Sequence, residues 1–284
     1  MKFTKEGFEN GYSVLMSVYW KEKPEYFRES INSMLSQTLS CSDFVLVCDG
    51  PLSPELEDVI SWAEGELDDM LQCVRLPENR GLGNALRVGL TYCRCPIVAR
   101  MDSDDISRPD RCLLQMQKLT AGGYAIVGGS LQEFVEKPGD TDSLRVLPET
   151  PEEIRAFVGK RNPFNHPCVM FRKEAVLRAG NYEDFPGFED YYLWVRMLNM
   201  GFEGWNLKEV ILDMRTGNGM YGRRGGTAYI RNLIRFQKYL RKTGIIGTGR
   251  FLWSCLCRSM LAVLPGNLRK ELYGVFLRKK ESRI

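Results

Sequence analysis

Three carboxylates fall within four positions where an apolar run ends: Asp102, Asp104 and Asp105 in PIVARMDSDDISRPDRCLLQMQ, residues 96–117. Charges of one sign at that density repel unless a cation neutralises them. In an extended segment, positions i and i+2 share a side, so the D-x-D pair aims two carboxylates at one point. Mg²⁺ or Mn²⁺ is held in this way, by one or two carboxylates with phosphate oxygens completing the shell. A D-x-D is short, however, and a solvated turn with capping acids has the same spelling.

A second acidic pair, Glu189–Asp190, opens GFEDYYLWVRML (187–198), where Tyr191, Trp194, Val195 and Leu198 recur as the apolar stripe of a helix. Acids suit a helix N-terminus, and one placed there is also a candidate to take a proton. The Glu183–Asp184 pair has the same composition but falls in a loop. Arg196, one turn beyond Asp190, can orient a carboxylate, contact phosphate, or make a surface salt bridge. His166, in NPFNHPC, is the single histidine of the chain. With nine cysteines, no C-x-x-C pair and one histidine, a zinc site is not expected. Scattered through apolar runs, the cysteines read as reduced, mostly buried thiols in a cytosolic compartment. Asp49 ends DFVLVCDG (43–50), where Asp-Gly also reads as a turn, and Arg80–Gly81 precede a helical pattern.

The elements that must position these residues alternate. YSVLMSVYW (12–20), DFVLVCDG, LQCVRLP (71–77) and CPIVARM (95–101) read as buried strands. Between them come helices carrying Phe27, Ile31, Met34 and Leu35, a helix near 53–64, and GLGNALRVGLTYC (81–93) with Leu82, Ala85, Leu86 and Gly89 on one face. Such alternation predicts an α/β, mostly parallel sheet with right-handed crossovers. Ligands then sit beyond the carboxyl ends of the strands, where Asp49 and the acidic cluster both fall. Ser107 is the expected cap of a helix over 108–120, with Asp110 three residues on. A strand over 124–135, a helix over 151–159 and a helix from Gly187 follow.

Six segments in order, SVLMSVYW, VLVCDGPL, ENRGLGNALRVGL, IVARMDSDDISRPDRCLLQ, NPFNHPCVMFRK and GFEDYYLWVRML, resemble family 2 glycosyltransferases of the GT-A fold. The likeness runs from about Tyr12 to about Asp213 and is strongest toward bacterial amylovoran and O-antigen enzymes. It implies a GT-A catalytic domain over 1–220, and it implies roles residue by residue. Asp49 would pair with uracil, and Arg80 and Gly81 would close on base and ribose, Gly81 permitting close backbone approach. Asp102 would lie near the ribose or a metal-bound water, and Asp104 would ligate Mn²⁺ or Mg²⁺ against the diphosphate. Asp105 would be a supporting acid. Asp190 would be the catalytic base, Glu189 an acceptor contact and His166 a wall near the diphosphate or acceptor; Arg196, on its own chemistry rather than by the resemblance, is a further candidate substrate contact. Base and leaving group on opposite faces give inversion. The implied reaction moves galactose, with glucose second, from a UDP-sugar to GlcNAc or GalNAc on undecaprenyl diphosphate, in O-antigen or exopolysaccharide assembly.

Net charge is +3, but from Tyr221 onward 15 basic residues meet 2 acidic ones, whereas the first 220 residues carry a net −10. RNLIRFQKYLRK (231–242) and LRKELYGVFLRKK (268–280) flank FLWSCLCRSMLAVLP (251–265), which is too short to span a bilayer at roughly 20 residues per crossing. We expect 221–284 to be a basic amphipathic tail on an anionic membrane surface, placing the protein peripherally on the cytoplasmic face of the bacterial inner membrane. Neither a cleavable signal nor a nucleic-acid partner is expected, since the acidic body would repel a phosphate backbone. A sugar-1-phosphate nucleotidyltransferase would share the layout, but SVYWKEKPEYF lacks the glycine-rich loop that triphosphate binding needs.

Overall fold

A computed structural model describes residues 11–216 and 226–263, with side chains to residue 260. The expected basic segment at 268–280 therefore lies outside the described residues.

Four parallel strands form the half of the sheet predicted from the alternation: β1 (Ser13–Val18), β2 (Asp43–Cys48), β3 (Leu71–Arg75) and β4 (Ile97–Asp102), in the order β3-β2-β1-β4. Their apolar residues are buried on both faces by α1 (Pro24–Leu35), α2 (Pro54–Leu67), α3 (Leu82–Tyr92) and α4 (Arg111–Gly122). Gly89 lets α3 lie close on the sheet, because a Cβ there would meet Val47 Cγ2 at 2.5 Å and Leu15 Cδ1 at 2.6 Å. A buried Ser13–Asp43 pair, joined by the backbone N–H of exposed Arg94, ties the opening ends of these strands together. Ser13 Oγ donates to Asp43 Oδ2 (2.6 Å), which also accepts from Arg94 N.

Beyond β4 the sheet becomes mixed. β8 (Met170–Arg172) runs antiparallel to β4 and to β6 (Ile126–Phe134), and β6 pairs in parallel with β9 (Gly204–Arg215). Short strands β5 (Ile106–Ser107) and β7 (Leu144–Arg145) edge β9 and β6. Ser107 is a correction: it lies in β5, its backbone N–H donating to Ser33 Oγ and its hydroxyl accepting from Gln37. The helix begins at Arg111 after Asp110, with no side-chain cap. Strand pairing with β9 took the residue that a local capping pattern claimed.

Two short helices, α5 (Pro151–Phe157) and α6 (Lys173–Arg178), lead to α7 (Glu189–Asn199). All four stripe residues of α7 are buried, as expected, together with Leu193 and Met197. The reason lies downstream: α8 (Gly226–Lys242) covers α7. Phe236 stacks on Phe188 at 5.0 Å and meets Tyr191 at 4.5 Å, and Leu233, Phe236 and Leu240 are fully buried. The first helix of the basic segment is thus part of the body's own core. α9 (Thr248–Val263) packs along α8.

Candidate active site

The parallel strands deliver Asp49 and Asp102 to one edge. Val18 accepts from Asp49 N (2.8 Å), and Ser17 lies opposite Asp102 across β1 and β4. Asp49 is buried, with both carboxylate oxygens turned on a loop: they accept from Arg80 N and Gly81 N, each at 2.9 Å. Gly50 keeps that loop close, since a Cβ there would meet Asn79 N at 2.7 Å. At Gly81 the requirement is conformational: its φ is +86°, yet nothing lies within 4 Å of a built Cβ. The need is for left-handed backbone rather than for room. The Arg80 side chain points to solvent and pairs with Glu78.

Asp102, Asp104 and Asp105 converge, their ligand oxygens within 4.8 Å of one another. The turn carrying them is held from three sides. Ser30 Oγ donates to Asp102 O (2.6 Å), and Ser103 Oγ donates to Glu22 Oε2 (2.6 Å). From β9, Arg215 donates its backbone N–H to Asp105 Oδ1 (2.8 Å) and its Nε to Asp104 O (3.0 Å). The Arg215 guanidinium lies over the Tyr26 ring at 3.7 Å and pairs with Glu29. No local signal marks Arg215; it is one basic residue closing an apolar run.

The cluster fits a divalent cation. Asp105 Oδ2 is enclosed without a partner, and burial followed by the neighbouring acids pushes the Asp105 carboxyl well above the usual carboxylate range. Burial, then Asp102 and Glu22, push Asp104 up to about 7. Hard carboxylate oxygens crowded so closely that their negative charges disfavour one another are suited to Mg²⁺ or Mn²⁺, whose positive charge relieves that repulsion.

Arg100 is the residue that pattern reading missed. It sits on β4 two positions before Asp102, on the same face, and is 1% exposed. Its Nη2 donates to Asp102 Oδ1, while its Nε and Nη1 are enclosed without partners. The buried cation also acts on His166, Tyr182 and Asp190. A basic residue inside an apolar strand was the available signal.

Asp190 lies in the first turn of α7. Its Oδ2 accepts from Asn162 Nδ2 at 2.5 Å. Burial raises its carboxyl above the ordinary range, against the opposing pull of the Tyr191 N–H, Asn162 and Arg100. Glu189 is also raised by burial and packs on α3, where a Cβ at Gly83 would meet its Cγ at 2.8 Å. His166 lies in a single turn of 3-10 helix, its Nε2 3.0 Å from Tyr182 Oη and its ring edge-on to Trp194. Burial, then Arg100, hold it well below its usual pKa, so it is neutral.

Arg196 is placed elsewhere. It donates to Ala179 O (2.5 Å), Asn181 O (2.6 Å) and Glu183 Oε1 (2.7 Å), pinning the 179–183 loop to α7. Those bonds occupy its terminal nitrogens and give Glu183 its partner. Arg196 is close to Asp190 along the chain, but six residues at about 100° each turn it to another side of α7, toward the loop.

Residues 13–179 match the model of glycosyl transferase family 2. The chain belongs to that family. Its relatives include an uncharacterised glycosyltransferase of Haemophilus influenzae, 40% identical across 94% of this chain and 99% of the relative. The amylovoran biosynthesis glycosyltransferase AmsE of Erwinia amylovora is 38% identical, over 92% and 97% of the two chains. An Escherichia coli enzyme described as UDP-Gal:alpha-D-GlcNAc-diphosphoundecaprenol beta-1,3-galactosyltransferase is 32% identical over 94% and 97%. In fold, this family 2 chain superposes on Staphylococcus aureus TarS 1–349, crystallised with UDP-GlcNAc, with a TM-score of 0.68 at 14% identity, covering 95% of this chain and 77% of TarS 1–349. The mannosyltransferase PcManGT of Pyrobaculum calidifontis, in complex with GDP-Man and Mn²⁺, gives 0.60 at 18% identity, over 93% and 75%. The protein is therefore a glycosyltransferase with a GT-A-like mixed α/β fold.

Proposed function

We propose that the protein is an inverting, metal-dependent hexosyltransferase that moves galactose, or second to it glucose, from a UDP-sugar to GlcNAc or GalNAc carried on a polyprenyl diphosphate. The observation that carries this reading is a three-carboxylate cluster together with Asp190, on both of which the buried Arg100 cation acts. Asp104 and Asp102 would hold the cation, which stabilises charge on the departing nucleoside diphosphate and removes the need for a protein acid. Asp49 and the Arg80–Gly81 loop would hold the nucleoside, while neutral His166 walls the pocket. Asp190 takes the proton from the acceptor hydroxyl, its raised carboxyl matched to that task. Glu189 would contact the acceptor sugar. Arg196 is left out of the substrate contacts because the 179–183 loop uses it.

One displacement, with base and leaving group opposed, converts an α-linked donor into a β-linked product. The product named for the E. coli relative has that configuration and supports the choice of galactose and of a diphosphoundecaprenol acceptor. Among the described residues no helix is long and apolar enough to cross a membrane, so we place the enzyme peripherally, at the cytoplasmic face of the inner membrane, in O-antigen or exopolysaccharide assembly. A donor screen tests this: several UDP-sugars, each with a synthetic lipid-diphosphate GlcNAc acceptor and Mn²⁺. UDP-galactose should give a β-linked disaccharide. Transfer from no UDP-sugar, or undiminished turnover in excess chelator, would refute it.

A further inference from the structure

α9 leaves a stripe of large apolar side chains bare. Leu252, Trp253, Leu256 and Met260 are 60%, 68%, 57% and 64% exposed. At helical spacing the four fall on one face about 100° wide. The opposite side of α9 is occupied: Phe251 packs against the core, and Arg258 donates to Lys160 O at 2.7 Å. A contiguous bare stripe of this kind marks an interaction surface.

Charge indicates what it meets. Along α8, Arg231, Arg235, Lys238, Arg241 and Lys242 are exposed, and no acidic residue occurs between 226 and 263. An apolar stripe on one helix and a row of exposed cations on the helix packed along it, with no acidic residue in either, are the composition of helices lying in a lipid interface. At 16 residues α9 is too short to cross, so it would lie in the plane. The position is also informative. Asn162, which bonds Asp190, lies two residues after Lys160, where α9 is anchored. Asp190 is the side from which an acceptor arrives.

We infer that the α9 stripe and the cationic face of α8 form a docking surface for a bilayer carrying anionic lipid, delivering a lipid-linked acceptor to the Asp190 side of the site. The delivery role rests on the function proposed above; the docking itself does not.

Flotation of the full chain with phosphatidylcholine vesicles, with and without phosphatidylglycerol, tests it. The wild type should float with phosphatidylglycerol vesicles and lose binding as salt rises. W253S/L256S should bind them at least about tenfold more weakly, and R235Q/K238Q should weaken binding and flatten its salt dependence. Brominated acyl chains should quench tryptophan fluorescence in the wild type and not in W253F. Circular dichroism checks that each variant is folded. Turnover on a water-soluble, short-chain diphosphate acceptor should be unchanged in every variant, so loss of docking is separable from failure of the enzymatic reading. Vesicle binding by W253S/L256S within twofold of wild type overturns the inference. So does a wild-type dimer that W253S/L256S converts to monomer with vesicle binding intact, which would assign the stripe to a second copy of the chain.

Discussion

At Asp190, burial raises proton affinity while the Asn162 amide, the Tyr191 N–H and the Arg100 cation lower it, and burial wins. In its proposed role as base Asp190 must be ionised to act, so the acidic limb of the kcat/KM profile should lie above the ordinary aspartate range, with activity lost as pH falls through it. Asn162→Ala removes one of the opposing bonds and should move that limb to higher pH; a limb that stays put would mean another group titrates. Asp190→Asn should cost on the order of 10²-fold or more in kcat with the fold retained. Asp104→Ala should lower activity comparably, since in the proposed mechanism it would hold the cation that supplies the Lewis acidity. Losses below tenfold in both variants would reject the assigned roles. The two aspartates were readable from spacing and family likeness. Arg100, buried beside Asp102, was not, because an arginine in a strand announces its burial only once its neighbours are folded around it.

Among the elements, α3 is the most tightly constrained. Gly89→Ala would drive a Cβ into Val47 and Leu15 on two central strands, where neither side chain has open space. Overpacking of this type costs about 1–3 kcal/mol, measurable as a fall in urea midpoint at unchanged slope. Gly81→Ala, at the start of the same helix, should behave differently. It meets no atom, but it must hold φ near +86° in the loop that Asp49 grips. The strain, about 1–3 kcal/mol, should appear mainly as a higher KM for the nucleotide-sugar donor if the loop has its proposed binding role, because the loop can relax without disturbing the sheet. An equal effect on the urea midpoint would show that the loop belongs to the core. The strands and helices to α4 were legible because each is a continuous local pattern. β5, β7 and β8 are two or three residues long, and only their partners make them strands.

For the molecule as a whole, the open question is where the enzyme's body ends. Charge divides the chain near residue 220, yet α8 buries Leu233, Phe236 and Leu240 against α7. If α8 is integral, Phe236→Ala should lower global stability by about 3–5 kcal/mol, in one cooperative urea transition that also carries activity. A separate early transition with α7 and turnover intact would restore the boundary suggested by charge.

By itself, the sequence determined the α/β alternation, the acids at the strand ends and the helix that begins with Glu189 and Asp190, because these depend on periodicity and spacing within short segments. Only the tertiary structure decided that buried Arg100 pairs with Asp102 and acts through space on Asp190, that Arg215 clamps the acidic turn from 110 residues away, that Arg196 serves a loop, and that α8 completes the core. Each of those outcomes depends on which distant groups satisfy a buried charge or cover an apolar face. Chain order carries no record of that until the sheet has closed.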